Sequence, residues 1–289
     1  MLISAKLAPT FGYPVMEQFW RTADELGFHS VANYDHFYGL DDDAGPTLEG
    51  WTSLAAMATV VRRARVGCMV SGVTYRNPAV LAKMAVTVDH ISGGRMDFGL
   101  GAGWHEAEHH AYGIEFPSAG TRVAMLDEAL TLIKRLWTEE SVTFEGRFYT
   151  MRDALCEPKP VQRPRPPIVV GGEKPKMLTV IARHADEWNV PSHGDVAEWA
   201  RVSSALDEAC VKVGRDPSEI RRSVQLFVQP AKEGHVNEQL ATLPELEAHG
   251  CQHAVLSFYQ PPTTRQLEDC AEAFRARSCL RHPRRTCPA

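Results

Sequence analysis

The chain lacks an excess of positive charge, a long apolar run and a charged leader. Its 31 Lys and Arg residues are outnumbered by 36 Asp and Glu residues, so the formal net charge is −5. Such a chain offers no basic field for nucleic acid and no polybasic membrane anchor. No apolar run approaches the roughly 20 residues that cross a bilayer, and MLISAKLAPT is unlike a signal peptide. We therefore expect a soluble, cytoplasmic protein with no nucleic-acid or membrane partner.

Paired cysteines and a P-loop are also missing. The seven cysteines are scattered and none belongs to a CxxC pair, which argues against a disulfide framework and against a thiolate zinc site. No glycine is followed directly by Lys and then Ser or Thr, so the P-loop pattern is absent. The chain is nevertheless 44% hydrophobic, which is enough for a full core.

Short β-branched runs alternate with longer segments of helical period along most of the chain. The runs predict strands at residues 2–7, 30–33, 64–70, 95–100, 168–170, 187–189, 222–227 and 254–258. The helical segments lie at residues 17–26, 52–60, 79–91, 122–136, 175–185, 196–213, 237–248 and 264–275. Eight consecutive βα units predict an α/β fold, a closed (β/α)8 TIM barrel, with an open sheet of eight parallel strands as the alternative.

One segment interrupts this alternation, at residues 139–167. VTFEGRFY predicts a hairpin around Glu145-Gly146-Arg147, and EPKPVQRPRPP predicts extended, proline-stiffened chain. We interpret it as an insertion between the fourth and fifth units of a single barrel domain at residues 1–276. Residues 277–289 lose periodicity and predict an irregular basic tail.

Barrels of this kind build their sites at the C-terminal ends of strands and in the loops that follow. His36 lies just after the second strand, where an imidazole can exchange a proton near neutral pH; a capping or surface histidine is the alternative. Gly171-Gly172 ends an apolar strand before a helix, where free N–H groups can hold a phosphate, although a plain turn fits the same residues. Gly99 to Gly103 reads GxGxG, a weak match to the dinucleotide fingerprint GxGxxG.

A literal HExxH zinc-hydrolase pattern occurs at residues 105–109, with Glu128 downstream as a third ligand. The pattern needs a helix that carries both histidines on one face. Three glycines immediately precede it and disfavour a helix that extends upstream. Zinc hydrolysis is therefore the distant alternative, and the main prediction has no metal site.

Several stretches resemble the bacterial luciferase-like superfamily, and within it the oxidoreductases that depend on the deazaflavin coenzyme F420. They are NYDHFYG, CMVSGVTYRNPAVLAKMAVTVDHISGGRMDFGLGAGWHEAEHHAYGI, LDEALTLIKRLWTEESVTFEGRFY and PPIVVGG. The resemblance covers roughly residues 2–275 and implies a (β/α)8 barrel with an insertion. It also implies hydride transfer between coenzyme F420 and a small organic substrate, in a homodimer. An FMN-dependent monooxygenase that uses reduced flavin and dioxygen is the alternative within the superfamily, and a barrel that only stores or senses a flavin is a third possibility.

The resemblance also assigns roles to residues. It makes His36 the catalytic proton donor or acceptor, and it places a non-prolyl cis peptide bond at Gly72-Val73, against the back of the cofactor ring. Trp104 stands where some family members carry an acid, and Glu106 lies two positions further on. The implied cofactor-binding residues are Ser71, Gly72, Val73, Gly101, Ala102, Gly103, Trp104, Gly171 and Gly172.

Overall fold

The computed structural model describes residues 1–39, 45–192 and 195–281. Its strands, in chain order, are β1 (Leu2–Leu7), β2 (Ser30–Asn33), β3 (Arg65–Cys68), β4 (Ser71–Gly72), β5 (Met96–Gly101), β6 (Val142–Glu145), β7 (Thr150–Ala154), β8 (Ile168–Gly171), β9 (Glu187–Ser192), β10 (Arg221–Val228) and β11 (His253–Phe258). Its α-helices are α1 (Tyr13–Glu25), α2 (Gly50–Val60), α3 (Pro78–Ser92), α4 (Glu106–Ala111), α5 (Ala119–Thr138), α6 (Pro175–His184), α7 (Val196–Val213), α8 (His235–Ala241), α9 (Leu243–Ala248) and α10 (Thr264–Arg281).

Nine of these strands form a closed parallel barrel. The order around the barrel is β3-β2-β1-β11-β10-β9-β8-β5, and pairing of β3 with β5, Val66 opposite Met96, closes the ring. The short strand β4 continues the path of β3 and also pairs with β5, so β3 and β4 together are the third of eight barrel positions. The predicted TIM barrel is confirmed, and the open-sheet alternative is wrong because no edge remains between β3 and β5.

The main core lies between the barrel and its helices. Helix α5 shows how the sequence builds it, since Leu126, Leu130, Ile133 and Trp137 recur at helical spacing and are all buried. The indole N–H of Trp137 donates to the carbonyl oxygen of Ala82 at 3.1 Å, which satisfies its polar atom inside the core. Burial of each such side chain contributes about 1.5–3 kcal/mol. A separate small cluster of Ala32, Met69, Val169 and Val255 comes from four different barrel positions.

Two of the predicted helices differ most from the structure. The predicted helix at residues 237–248 is two helices, α8 and α9, because Pro244 has no N–H for a continuous helix and its ring excludes the preceding turn. Helix α10 continues to Arg281 rather than ending at Arg275, since the residues in between, ARSCLR, include the good helix formers Ala, Leu and Arg. The remaining part of the predicted tail, residues 282–289, lies outside the described residues.

The insertion is held by two carboxylates from neighbouring helices. Strands β6 and β7 form the predicted hairpin, and Glu128 of α5 accepts hydrogen bonds from the backbone N–H groups of residues 147–149 at 2.7–2.9 Å. Asp89 of α3 accepts from the N–H groups of Val161 and Gln162, at 2.7 and 3.1 Å, in the proline-rich stretch. The insertion therefore packs on the barrel as a fixed part of it. No helix in the described ranges has the length and apolar character needed to cross a membrane.

Candidate active site

A cavity of about 610 Å³ opens at the C-terminal ends of the barrel strands, within the usual size range for a small-molecule site. Nearly all the predicted site residues line it: His36, Ser71, Gly72, Gly101, Ala102, Gly103, Trp104, Gly171 and Gly172. Val73 is the exception, because it is only 2% exposed and packs in the core. Its backbone N–H bonds the carbonyl oxygen of Gly101. The expectation that Val73 contacts a cofactor is therefore not supported by its position.

His36 is held by a buried carboxylate. It follows β2 and is 8% exposed, and its Nδ1 lies 2.6 Å from Oε1 of Glu108, which is fully buried on α4. The Glu108 side chain also accepts from the hydroxyl of Tyr75 and, at 2.8 Å, from the backbone N–H of Phe37. Burial alone raises the pKa of Glu108, but these hydrogen bonds outweigh it and lower that pKa to about 2. Glu108 is therefore ionised near neutral pH.

An ionised partner fixes the orientation of the His36 ring. A carboxylate only accepts hydrogen bonds, so Nδ1 of His36 carries the proton that faces Glu108. The other nitrogen, Nε2, has no hydrogen-bond partner among the described residues. Trp104 and Tyr34 flank the ring, with centroids 5.4 and 5.1 Å from its own. In this arrangement Nε2 can take a proton from, or return one to, a ligand in the cavity.

The wall formed by β4 differs in detail from the sequence prediction. The non-prolyl cis peptide bond joins Met69 to Val70, not Gly72 to Val73. Met69 and Val70 both line the cavity, so the residues that precede β4 form this part of the wall. The hydroxyl of Ser71 accepts a hydrogen bond from the indole N–H of Trp51 at 2.7 Å. The Ser71 hydroxyl is thus engaged by the core.

Two glycines of the GxGxG run are needed for the backbone geometry at their positions, without any contact to a dinucleotide. A Cβ on Gly99 would lie 2.0 Å from the carbonyl oxygen of Cys68, so only glycine lets β5 approach the end of β3. Gly103 has a φ of +75°, a conformation that glycine adopts without strain. The run therefore shapes the cavity wall at the end of β5.

The predicted phosphate site lies where α6 begins. Gly171 and Gly172 line the cavity, and α6 starts at Pro175 without a side-chain cap. The first N–H groups of a helix have no partner within it and attract anions. This end of the cavity therefore has the features that a cofactor phosphate needs.

The HExxH residues do not form the zinc site of the distant alternative. His109 is fully buried with Nε2 2.6 Å from the hydroxyl of Thr74 and Nδ1 2.7 Å from the carbonyl oxygen of His105, and Glu128 is bound to the hairpin. A different set, His36, His105 and Glu108, has ligand atoms within 4.8 Å of one another. Its carboxylate already accepts three hydrogen bonds, and a cation would have to displace them. Glu106 is exposed and lies near His110, so it adds no acid to the cavity.

Lys6 is a cavity residue that the sequence analysis missed. It is 4% exposed in β1, and its Nζ donates to Oε1 of Gln225 at 2.8 Å and to the carbonyl oxygen of Met69 at 3.4 Å. Burial lowers the pKa of Lys6 to about 8. A lone lysine inside the apolar strand LISAKL was the available signal, because buried lysine is rare unless it is paired.

The N-terminal ends of the strands carry a second buried histidine–glutamate pair. Nδ1 of His253 lies 2.7 Å from Oε1 of Glu187, and Nε2 of His253 lies 2.7 Å from the hydroxyl of Ser4. Ser30 donates to the same hydroxyl at 2.6 Å. The free space beside these residues is about 10 Å³, barely enough for one water molecule. We call Ser4, Ser30, Glu187 and His253 the basal cluster. The space that Ser30, Glu187 and His253 enclose is too small for a substrate, while Glu187 also borders an open groove of about 480 Å³.

Comparison with known proteins gives the architecture its context. The sequence profile described as luciferase-like monooxygenase matches residues 4–275. An F420-dependent glucose-6-phosphate dehydrogenase of Microbacterium testaceum is 31% identical over 220 residues, 75% of this chain and 65% of that protein. The pyrimidine monooxygenase RutA of a Bradyrhizobium species is 30% identical over 221 residues, 74% and 60% of the two chains. A solved F420-dependent secondary alcohol dehydrogenase, in complex with an F420–acetone adduct, has a TM-score of 0.83 at 19% identity, covering 95% and 98%.

Proposed function

The chain belongs to the luciferase-like monooxygenase family, and we propose that it is an oxidoreductase that exchanges a hydride between coenzyme F420 and a small organic substrate. The observation that carries this proposal is the His36–Glu108 pair on the cavity wall, with Nε2 of His36 left for a ligand. The F420-dependent relative and the F420-dependent structural neighbour support the choice of cofactor.

The cofactor, when bound, supplies or accepts the hydride, and His36 donates or accepts the accompanying proton. In the reducing direction, a carbonyl carbon gains the hydride and its oxygen gains the proton from Nε2 of His36. In the oxidising direction, Nε2 takes the hydroxyl proton while the carbon loses a hydride. Glu108 stabilises the protonated imidazole in both directions because it stays ionised beside Nδ1.

The remaining residues position the cofactor and exclude water. We assign the phosphate to Gly171, Gly172 and the start of α6. The ring would lie along the wall of Ser71, Gly72 and Gly101 to Gly103, with Trp104 at the mouth of the cavity. Hydride transfer needs mainly such positioning, since the cofactor brings the chemistry. A cytoplasmic location and a homodimer remain part of the proposal.

A monooxygenase that uses reduced FMN and dioxygen is the second candidate. The similarity to the pyrimidine monooxygenase favours it, and the same cavity could hold an isoalloxazine ring. Because a deazaflavin does not activate dioxygen, the two candidates differ in cofactor and in oxygen consumption.

The test is a binding and turnover screen on the purified protein. Coenzyme F420, FMN and nicotinamide dinucleotides are titrated separately, and turnover is followed on a panel of alcohols, aldehydes and ketones with and without oxygen. We expect F420 to bind, and its absorbance to change with substrate in the absence of oxygen. Tight binding of FMN alone, with oxygen consumption, would replace the proposal with the monooxygenase. Binding without turnover on any substrate would favour a flavin-storing or flavin-sensing barrel.

A further inference from the structure

Three buried polar side chains, Lys6, Gln225 and Ser257, lie together on one side of the cavity, and we call them the donor patch. They belong to β1, β10 and β11, which are three adjacent strands of the barrel. Lys6 lies directly opposite Ser257 in the pairing of β1 with β11. All three residues line the cavity, and none is more than 8% exposed. The patch is therefore a built part of the cavity wall.

The polar groups that the donor patch leaves available can all donate hydrogen bonds. The Lys6 ammonium only donates, so the oxygen of the Gln225 amide faces it at 2.8 Å and the amide nitrogen points elsewhere. That nitrogen and the Ser257 hydroxyl have no hydrogen-bond partner among the described residues. Lys6 donates a second, longer bond to the carbonyl oxygen of Met69 at 3.4 Å, which leaves its third proton available. The patch thus offers N–H and O–H groups from three strands to a ligand.

The donor patch also carries a positive charge that no carboxylate neutralises within the described part of the chain. Both acceptors of the Lys6 ammonium are uncharged. The acid that lines the cavity, Asp35, is ion-paired with Arg76, and the carboxylate of Glu108 faces His36. A buried ammonium is costly unless an anion pairs with it. A ligand with one negative charge would supply the missing partner.

The donor patch is near His36 and across the barrel from the place assigned to the cofactor phosphate. The Nζ of Lys6 lies 5.6 Å from the centroid of the Tyr34 ring, and the centroid of the His36 ring lies 5.1 Å from it. The separation of Lys6 and His36 therefore cannot exceed the sum of these distances. The phosphate is assigned to the start of α6, which follows β8, and three barrel positions separate β8 from β1 in either direction. A substrate that reacts beside His36 can reach Lys6 with a second group.

We propose that the donor patch binds a carboxylate of the substrate, so that the substrate is a small oxo acid or hydroxy acid. This subsite rests on the proposed function and deepens it, because it assigns a second functional group to the molecule that exchanges the hydride. A carboxylate has two acceptor oxygens for the N–H and O–H donors, and its single charge matches the one ammonium. A phosphate group, with nearly two negative charges, exceeds that charge.

The test compares unbranched oxo acids of four to eight carbons with their methyl esters, which have the same chain without the charge. Dissociation constants are measured by calorimetric titration of protein loaded with oxidised coenzyme F420, which has no hydride to give to an oxo acid. We expect at least one acid to bind the wild type about tenfold or more tightly than its ester. Lys6→Met should abolish this preference and leave the dissociation constant of the ester within a few-fold. Equal affinity of every acid and its ester for the wild type would overturn the proposal.

Two further variants separate the charge of the patch from its shape. Gln225→Glu places a carboxylate beside the ammonium, 2.8 Å from it in the native geometry, and should remove the preference for the acid although Lys6 is retained. Ser257→Ala removes one donor and should weaken binding of the acid only a few-fold. Lys212→Met is the control, because this lysine is exposed on α7 and does not line the cavity. Thermal melts check that each variant is folded, and an unchanged preference in folded Lys6→Met would overturn the proposal.

Titrations of cofactor-free protein distinguish the source of the anion and the fate of the proposed function. If cofactor-free protein prefers the acids through Lys6 but F420-loaded protein does not, an anionic group of the cofactor occupies the patch and the assignment to the substrate is wrong. If the protein does not bind coenzyme F420, the proposed function fails. A Lys6-dependent preference for the acids in cofactor-free protein would then still support the subsite, and its absence would overturn the subsite as well.

Discussion

The two ends of the barrel carry the same pair of residues in opposite settings. At the C-terminal end, His36 faces a buried glutamate with one nitrogen and a cavity with the other. At the N-terminal end, His253 faces a buried glutamate in the same way, but its second nitrogen is bonded to Ser4. Glu187, like Glu108, has a pKa lowered to about 2, because the neighbouring cations and hydrogen bonds outweigh the effect of burial.

The difference shows that the role of a histidine–carboxylate pair depends on the contact of the second histidine nitrogen, the one that does not face the carboxylate. The basal cluster has the serine, histidine and acid of a hydrolytic triad, yet the space that Ser30, Glu187 and His253 enclose is too small for a substrate. Its hydrogen bonds are all satisfied inside the protein, so we interpret it as a structural plug. In the pair on the cavity wall, Glu108 holds the His36 ring in place, and Nε2 of His36 remains available to a ligand.

The largest expected effect is on turnover at the mouth. His36→Ala should lower kcat by about 10²–10⁴-fold, because the hydride then moves without a positioned proton donor. The dissociation constant of the cofactor should stay within a few-fold of the wild type, as measured by titration of the purified variant. Full activity of this variant would show that the mouth and basal pairs do not differ in function.

The matching substitution in the basal cluster, His253→Ala, should lower the stability of the protein and not its turnover. His253→Ala leaves the Glu187 carboxylate buried with Arg221, 3.1 Å away, as its one charged partner among the residues that the structure describes. Losing one member of a buried pair costs roughly 3–5 kcal/mol, and Arg221 should keep the loss near the lower limit. Urea denaturation measures it, and Glu187→Gln added to His253→Ala should restore part of the stability. A variant that is as stable as the wild type but inactive would contradict the comparison.

Lys6 extends the comparison to a charge that lines the cavity and that has no carboxylate partner among the described residues. Its pKa of about 8 in the folded protein is below the ordinary 10.5, so the folded state binds the proton more weakly than the unfolded chain does. Lys6→Met should therefore raise the free energy of unfolding near pH 7, by on the order of 3 kcal/mol. Wild-type stability should rise relative to the variant between pH 8 and 10.5, because the unfolded chain holds more protons in that window.

Thermal melts at pH 7 and pH 10 compare the two proteins. A Lys6→Met variant less stable than the wild type at pH 7 would mean that the ammonium is compensated in the absence of ligand.

The smallest expected effect concerns the partner of His36. Glu108→Gln keeps the shape of the side chain but removes its charge, so we expect kcat to fall about 10–100-fold, as for other groups that orient a reacting residue. The loss should appear in kcat and leave the dissociation constant of the cofactor within a few-fold, because Glu108 contacts His36 and does not line the cavity. An unchanged kcat would show that Glu108 has only a packing role.

The sequence predicted the barrel well, because short apolar runs indicate strands and a helical period of apolar residues indicates helices. Helix α7 has the predicted bounds, and most strand ends lie within two residues of their predictions. The break between α8 and α9 was missed because the apolar period continues through Pro244. The signal for it, a proline within a predicted helix, was present.

Most of the residues predicted for the site line one cavity, but the sequence did not predict the contacts among them. Strand ends pointed to His36 and to the glycine walls, since parallel strands of a barrel all end at one face. The partner of His36, however, is 72 positions away, and no local pattern reveals which acid of HEAEH turns inward. The sequence also did not show that Val73 packs in the core and does not line the cavity, because the resemblance carries over positions and not the directions of side chains.

The two carboxylates that hold the insertion indicate that the insertion can be exchanged between related barrels. Glu128 and Asp89 belong to the barrel helices, yet most of their partners are backbone groups of the inserted hairpin and the proline-rich stretch, with the side-chain amide of Gln162 as a further donor to Asp89. Backbone amides are present in any sequence, so a foreign insertion of matching length could use the same two anchors. A chimaera that exchanges residues 139–167 should then fold on this scaffold, provided that both acidic side chains are retained.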